Sequence, residues 1–150
     1  MTKLPIQIHS ISKKFKEEEI LNKISLNVNE GEIYGLIGLN GIGKTTLIKI
    51  MLNLLTQDNG TVSFFGIDAK LTESRRNINY LPEKFYPSQF LKGTEFLELS
   101  MAYYGKIFSL QKAEEKAYIL GLDPKALRQT ISKYSKGMGQ KLGLLAMFLS

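Results

Sequence analysis

The sequence has no cysteine. A disulfide framework and a thiolate zinc site are therefore excluded, and a cytoplasmic, reducing compartment fits that composition. There is one histidine, His9, and its place in an alternating pattern reads as a half-exposed strand position. No run approaches the ~18 consecutive apolar residues of a membrane span. The longest apolar pattern, Leu142 to Leu149, is far shorter. The opening residues, Met1 to Pro5, lack the apolar stretch of a signal peptide. Internal repeats and low-complexity tracts are absent as well.

What is present suits one globular domain: 150 residues, 43% of them hydrophobic. The formal charge of +6 permits nucleic acid, acidic lipid or phosphate as partner. The basic residues are scattered, however. Their densest run, Lys13, Lys14 and Lys16, is followed at once by Glu17, Glu18 and Glu19, as in a solvated polar loop. No aromatic and basic surface of the kind that binds nucleic acid is legible.

Ile6 and Ile8 alternate with polar residues, as do Ile20, Ile24, Leu26 and Val28, so the first third reads as strand. Asn29-Glu30-Gly31 is a turn, and Ile33 to Ile37 is an apolar run of the buried-strand kind. The spacing of Leu47, Ile48, Met51, Leu52 and Leu55 predicts a helix over 45–55, broken by Asp58-Asn59-Gly60. Thr61 to Phe65 reads as strand. Arg75-Arg76-Asn77 leads into another at Ile78 to Leu81, which Pro82 closes. Beyond residue 94 the pattern is helical. Thr94 is the expected N-cap of a helix at 95–104, Asp123-Pro124 starts a second, and Gly139 to Leu149 forms a last amphipathic helix. The fold class is α/β.

Between the apolar run and the first helix stands Gly38-Leu39-Asn40-Gly41-Ile42-Gly43-Lys44-Thr45-Thr46, which matches the G-x-x-x-x-G-K-[ST] phosphate loop. Glycines at 38, 41 and 43 let backbone amides converge on phosphate oxygens. Lys44 carries a point charge to the β- and γ-phosphates, and the Thr45 hydroxyl suits Mg²⁺. The helix that starts here adds its positive dipole end. A strand before and a helix after is the context such a loop requires. No Asn-Lys-x-Asp guanine motif follows it, which disfavours a GTPase and favours Mg-ATP.

This loop resembles the Walker A motif of the ATP-binding cassette ATPases, with Leu39 and Ile42 in place of the common Pro and Ala. The resemblance continues through Ile78-Asn79-Tyr80-Leu81-Pro82-Glu83, similar to the strand and Q-loop, where Glu83 replaces the usual Gln. It continues again at Tyr134-Ser135-Lys136-Gly137-Met138 and Gly139-Gln140-Lys141-Leu142, similar to the signature segment and its helix. It covers nearly the whole chain. It implies a P-loop ATPase core with N-terminal antiparallel strands over 1–83, a helical subdomain over 84–131, and the signature segment over 132–150.

The resemblance also assigns residues. Phe15 would stack on adenine, while Gly38, Asn40, Gly41, Gly43, Lys44, Thr45 and Thr46 would hold the phosphates of ATP. Thr45 and Glu83 would belong to the Mg²⁺ region. Ser135 and Gly137 would meet the ATP of a second nucleotide-binding subunit. A separate transmembrane permease would meet the segment Lys84 to Lys92, so the expected location is the inner face of the cell membrane. Among transporters, an exporter is the expected kind. A soluble cassette ATPase acting on nucleic acid or ribosomes is the alternative, as is a nucleotide-binding module without catalysis.

The family's Walker B strand, D-loop and switch histidine have no counterpart in these residues, so no residue here is expected to be catalytic. The 150 residues alone are expected to be inactive, since phosphoryl transfer depends on those charged groups. They are also expected not to form a self-sufficient domain, because two strands of the family's sheet would be missing between the run at 33–37 and the run at 78–81.

Overall fold

A computed structural model describes residues 3–76 and 78–150 and divides the chain into two compact units, 1–78 and 79–150. In the first unit, β1 (Ile6–Phe15) and β2 (Glu18–Val28) form an antiparallel hairpin. The unit continues with α1 (Lys44–Met51), β3 (Asn59–Phe64) and a short β4 (Ile67–Asp68), and the sheet runs β2-β1-β3-β4. Ile8, Ile11, Leu21, Val62 and Phe64 from the sheet pack with Leu47 and Ile50 of α1 to make its core.

The hairpin departs from simple alternation in an informative way. Ile8 and Ile11 are both buried although three residues apart, which a regular strand would send to opposite faces. A bulge restores the inward direction. The ladder register shifts between Ile8 and Ile11, and Ser10 lies at φ 49. Lys23 on β2 also lies at φ 49, between Leu21 and Ile24. Two serines satisfy the displaced amides: the Ser10 N–H donates to Ser25 Oγ at 2.8 Å and the Lys23 N–H to Ser12 Oγ at 3.0 Å. His9 lies on β1 and is exposed.

Helix α1 ends earlier than its apolar spacing suggests. Asn53 adopts φ 56, its N–H donates to the Ile50 carbonyl at 2.9 Å, and the Leu54 N–H donates to the Lys49 carbonyl at 2.8 Å. That pair of bonds is a Schellman stop. The buried face is accordingly Leu47 and Ile50, with Leu55 packed on the core from beyond the helix.

Two expected strands are not found. Residues 33–37 have no ladder partner among the described residues, and Ile33 and Ile37 are almost fully exposed, at 99% and 95%. Residues 78–81 are likewise unpaired. An apolar run becomes a buried strand only where neighbours take up its backbone groups in a ladder; here the described residues offer none, and the Ile78 N–H donates only locally, to the Arg75 carbonyl at 3.1 Å. The turn that was to lead into the second run includes Asn77, which lies outside the described residues.

The second unit holds α2 (Gly93–Tyr103), α3 (Leu110–Ile119) and α4 (Lys136–Leu149), with 3₁₀ turns at Pro124–Arg128 and Ile131–Lys133. Its core is built from Leu97, Ala113, Ala117, Leu127, Leu142 and Leu145. Asp123 caps the first 3₁₀ turn, accepting from the Lys125 N–H at 2.9 Å. Thr94 is not the cap of α2, which begins one residue before it. Lys92 holds the capping position, and the Glu95 carboxylate reaches back to its N–H at 2.8 Å, the carboxylate half of a capping box. Helix α4 starts before Gly139, because the Ser135 side chain caps it.

Gly60 stands opposite the β1 bulge at φ 88, where an added Cβ would meet the His9 and Ser10 carbonyl oxygens at 2.5 Å. Backbone cannot yield as a side-chain tip does. Gly60→Ala should therefore lower stability by about 2 kcal/mol or more in a denaturant titration. Gly139 on α4 has open space around it, so Gly139→Ala should raise stability by roughly 0.5–1 kcal/mol. Equal effects of the two changes would contradict this packing.

Candidate phosphate-binding site

Gly43 joins sheet and loop. It occupies the N-cap of α1 at φ 101, and a Cβ there would meet Ile20 Cγ2 and Leu21 Cδ2, both at 2.9 Å, and the Ile20 carbonyl at 3.0 Å. The start of α1 is thus pressed against β2 at Ile20 and Leu21. Glycine has no capping side chain, the first turn of α1 contains no acidic residue, and no side chain caps the helix. Its first N–H groups lack intrahelical acceptors, so they and the dipole are left for an anion.

The Lys44 ammonium donates to the carbonyls of Gly38 and Leu39, each at 2.7 Å. These two bonds curl the loop around the lysine. An ammonium has three donors, so one remains. The donor set fits a phosphate: backbone amides at a helix start, a point charge, and the hydroxyls of Thr45 and Thr46 on the first turn. Gly38, Asn40, Gly41 and Thr45 are exposed and Thr46 is partly so, which leaves the loop open to a ligand.

Phe15 ends β1 at 45% exposure, too open to be a core residue. The Lys13 ammonium lies 5.5 Å from its ring centroid, and Lys13 also pairs with Asp58 at 2.6 Å. The Asp58 carboxylate accepts the Lys14 N–H as well, at 2.7 Å. Chiefly through its hydrogen bond from Lys13, Asp58 titrates below the usual carboxylate range. Phe15 is thereby presented on a braced strand end.

Glu83, Ser135 and Gly137 belong to the second unit, where the structure brings Glu83 and Ser135 to one cleft of about 430 Å³. Ser135 Oγ accepts the Met138 N–H at 3.2 Å, which leaves its own proton free to donate. Gly137 is exposed, and a Cβ there would approach only Ser135 Oγ, at 3.9 Å. Two residues given no role by the sequence reading support this cleft. The Tyr134 hydroxyl donates to the Ala126 carbonyl at 2.7 Å, and burial raises its pKa. Gln140 Nε2 donates to the Glu83 carbonyl at 3.2 Å. Neither interaction follows from residue spacing, since each depends on how distant segments fold back.

The chain is 37% identical over 153 residues to the bacitracin transport ATP-binding protein BcrA of Enterococcus faecalis, an alignment covering 96% of this chain and 47% of that protein. The chain therefore spans about half the length of that relative. Its fold superposes on a putative ABC transporter ATP-binding protein of Pyrococcus furiosus with a TM-score of 0.84 at 23% identity, covering 96% of this chain and 70% of the other. It superposes on MJ0796, a bacterial ABC transporter cassette solved as a dimer, with a TM-score of 0.81 at 24% identity, covering 96% and 69%. Among the described residues no helix is long and apolar enough to cross a membrane. The family model described as ABC transporter matches residues 21–150, and the chain belongs to that family.

Proposed function

We propose that this chain is the phosphate-binding part of an ATP-binding subunit that powers an ABC transporter, an exporter being the favoured kind, through a separate membrane permease. The observation that carries the reading is the Lys44 ammonium, tied to two carbonyls of its own loop at the mouth of an uncapped helix. In this reading Lys44 and the loop amides orient the β- and γ-phosphates, with Gly38, Asn40, Gly41 and Gly43 shaping the cradle and Thr46 closing it. Thr45 offers its hydroxyl to Mg²⁺, Glu83 is assigned to the metal region as a carboxylate, and Phe15 is assigned to stacking on adenine. Bound Mg-ATP supplies the phosphoryl group whose transfer to water drives the work. Hydrolysis is assigned to the whole protein.

Ser135 and Gly137 are assigned to the ATP of a facing second subunit. The open space at Gly137 supports this, because nothing in its own chain demands a glycine there. The permease is assigned to the segment Lys84 to Lys92. Tyr86 and Phe90 of that segment are largely exposed, and its Leu91 joins Phe96, Leu99 and Tyr103 in a shallow apolar groove. Exposed aromatic and apolar surface of this kind marks protein contact sites. Attachment through the permease places the subunit at the inner face of the membrane.

Lys44→Ala should weaken Mg-ATP binding by about tenfold or more in a calorimetric titration, since a charged hydrogen bond contributes roughly 1.5–3 kcal/mol and about 1.4 kcal/mol is a decade. Unchanged affinity would remove the site. Phe15→Ala should cost ATP about 1–3 kcal/mol of affinity through lost stacking while sparing inorganic triphosphate. Equal losses for the two ligands would show that Phe15 does not touch the base.

A further inference from the structure

The segment 79–85 lies along α4 for two turns and is held at three levels of one helical face. At the first level, Gln140 Nε2 donates to the Glu83 carbonyl at 3.2 Å. At the second, Gly143 admits the segment's side chains: a Cβ there would meet Leu81 Cδ1 at 2.6 Å and Phe85 Cε1 at 3.0 Å. At the third, Asn79 Nδ2 donates to the Met147 carbonyl at 3.2 Å, and the Ser150 hydroxyl donates to Asn79 Oδ1 at 3.2 Å. Positions 140, 143 and 147 share a face because three to four residues make one helical turn. The same helix carries Ser135 as its N-cap. Two residues with separate assignments, one toward metal and one toward a facing phosphate, are thus joined through one stretch of backbone.

We propose that Gln140 is a positioning residue whose amide locks the Glu83 segment to α4, so that Glu83 and Ser135 move as one body. Gln140 acts through the Glu83 carbonyl and does not touch nucleotide. The inference rests on the proposed function, because it takes Glu83 to sense Mg-ATP and Ser135 to answer it. Of the three ties, the Gln140 bond is the closest to both residues. Losing it frees Glu83 to shift without carrying Ser135. The P-loop, in the other unit, keeps its own contacts. Binding and turnover should therefore respond differently.

The test is ATP hydrolysis by the whole protein with three substitutions at one position. Gln140→Met keeps the length and removes the donor. Gln140→Glu keeps the shape but offers the Glu83 carbonyl a second acceptor, and Gln140→Lys restores a donor. The methionine and glutamate variants should lose about fivefold or more in kcat, the lower end of typical coupling between sites. KM for Mg-ATP should stay within about twofold of wild type. The lysine variant should recover most of kcat, which a loss of packing alone would not allow. Wild-type kcat in both the methionine and glutamate variants overturns the inference, as does a lysine variant no better than the glutamate variant. If the methionine variant fails to fold, the glutamate and lysine pair still decides through the donor. A wild-type protein that binds Mg-ATP, beside variants that all keep its kcat, sinks this inference alone. One that binds no Mg-ATP sinks the proposed function with it.

Discussion

The Lys44 ammonium is the fixed point of the first unit. Its two bonds to the Gly38 and Leu39 carbonyls turn a flexible glycine-rich stretch into a defined loop, while Gly43 presses the same loop onto β2. Both constraints are needed. Without the lysine, the loop carbonyls would lose a charged partner worth roughly 1.5–3 kcal/mol per bond. Without glycine at 43, the backbone could not reach φ 101 against Ile20 at low cost. The helix start is then left uncapped in a place where nothing acidic satisfies it, and that shortfall is what an anion relieves.

The sheet behind the loop is shaped to hold this arrangement. The paired bulges at Ser10 and Lys23, with the cross-strand serines at 25 and 12, keep Ile11 buried and Ile24 packed against the same core. That core receives Leu47 and Ile50 of α1. A bulge increases local twist and stays where its amides are satisfied, so the serines fix the inward direction of the strands by hydrogen bonding, and α1 inherits its seat from them. Sequence alternation alone would have sent Ile11 outward.

Legibility in the sequence followed how local each cause was. The hairpin strands, the phosphate loop, the opening of α1 and the Asp123-Pro124 start could be read because each depends on residues a few positions apart. The stop at Asn53 was hidden, since an apolar pattern through Leu55 continues past it and asparagine only permits a left-handed turn. The cap of α2 was hidden because lysine is not a capping residue, and the Glu95 carboxylate does the capping. The runs at 33–37 and 78–81 were misread as strands for a different reason. Their apolar character marks segments that require partners, and pairing is a property of the neighbours as much as of the run. The family itself was legible because its motifs are short and ordered. The cleft around Glu83 and Ser135 was not, because residues far apart in sequence build it.

Glycines differ in what their own chain demands of them. Gly43 and Gly60 are demanded by their own chain, since each has a left-handed backbone and a close backbone or side-chain neighbour. Gly137 has neither: its φ is ordinary, and the nearest atom an added Cβ would meet is 3.9 Å away. A glycine in a helix interior costs roughly 0.5–1 kcal/mol against alanine. Gly137 lies in the first turn of α4, and Gly139 there is as open, so neither is demanded by packing within the chain. The same first turn carries Lys136, exposed at the cleft, so an approaching group with negative charge gains there. Ser135 has its proton to give, Lys136 its charge, and Gly137 its lack of bulk. The three lie on one turn of α4, and the Tyr134 bond to Ala126 holds that turn to the helical core.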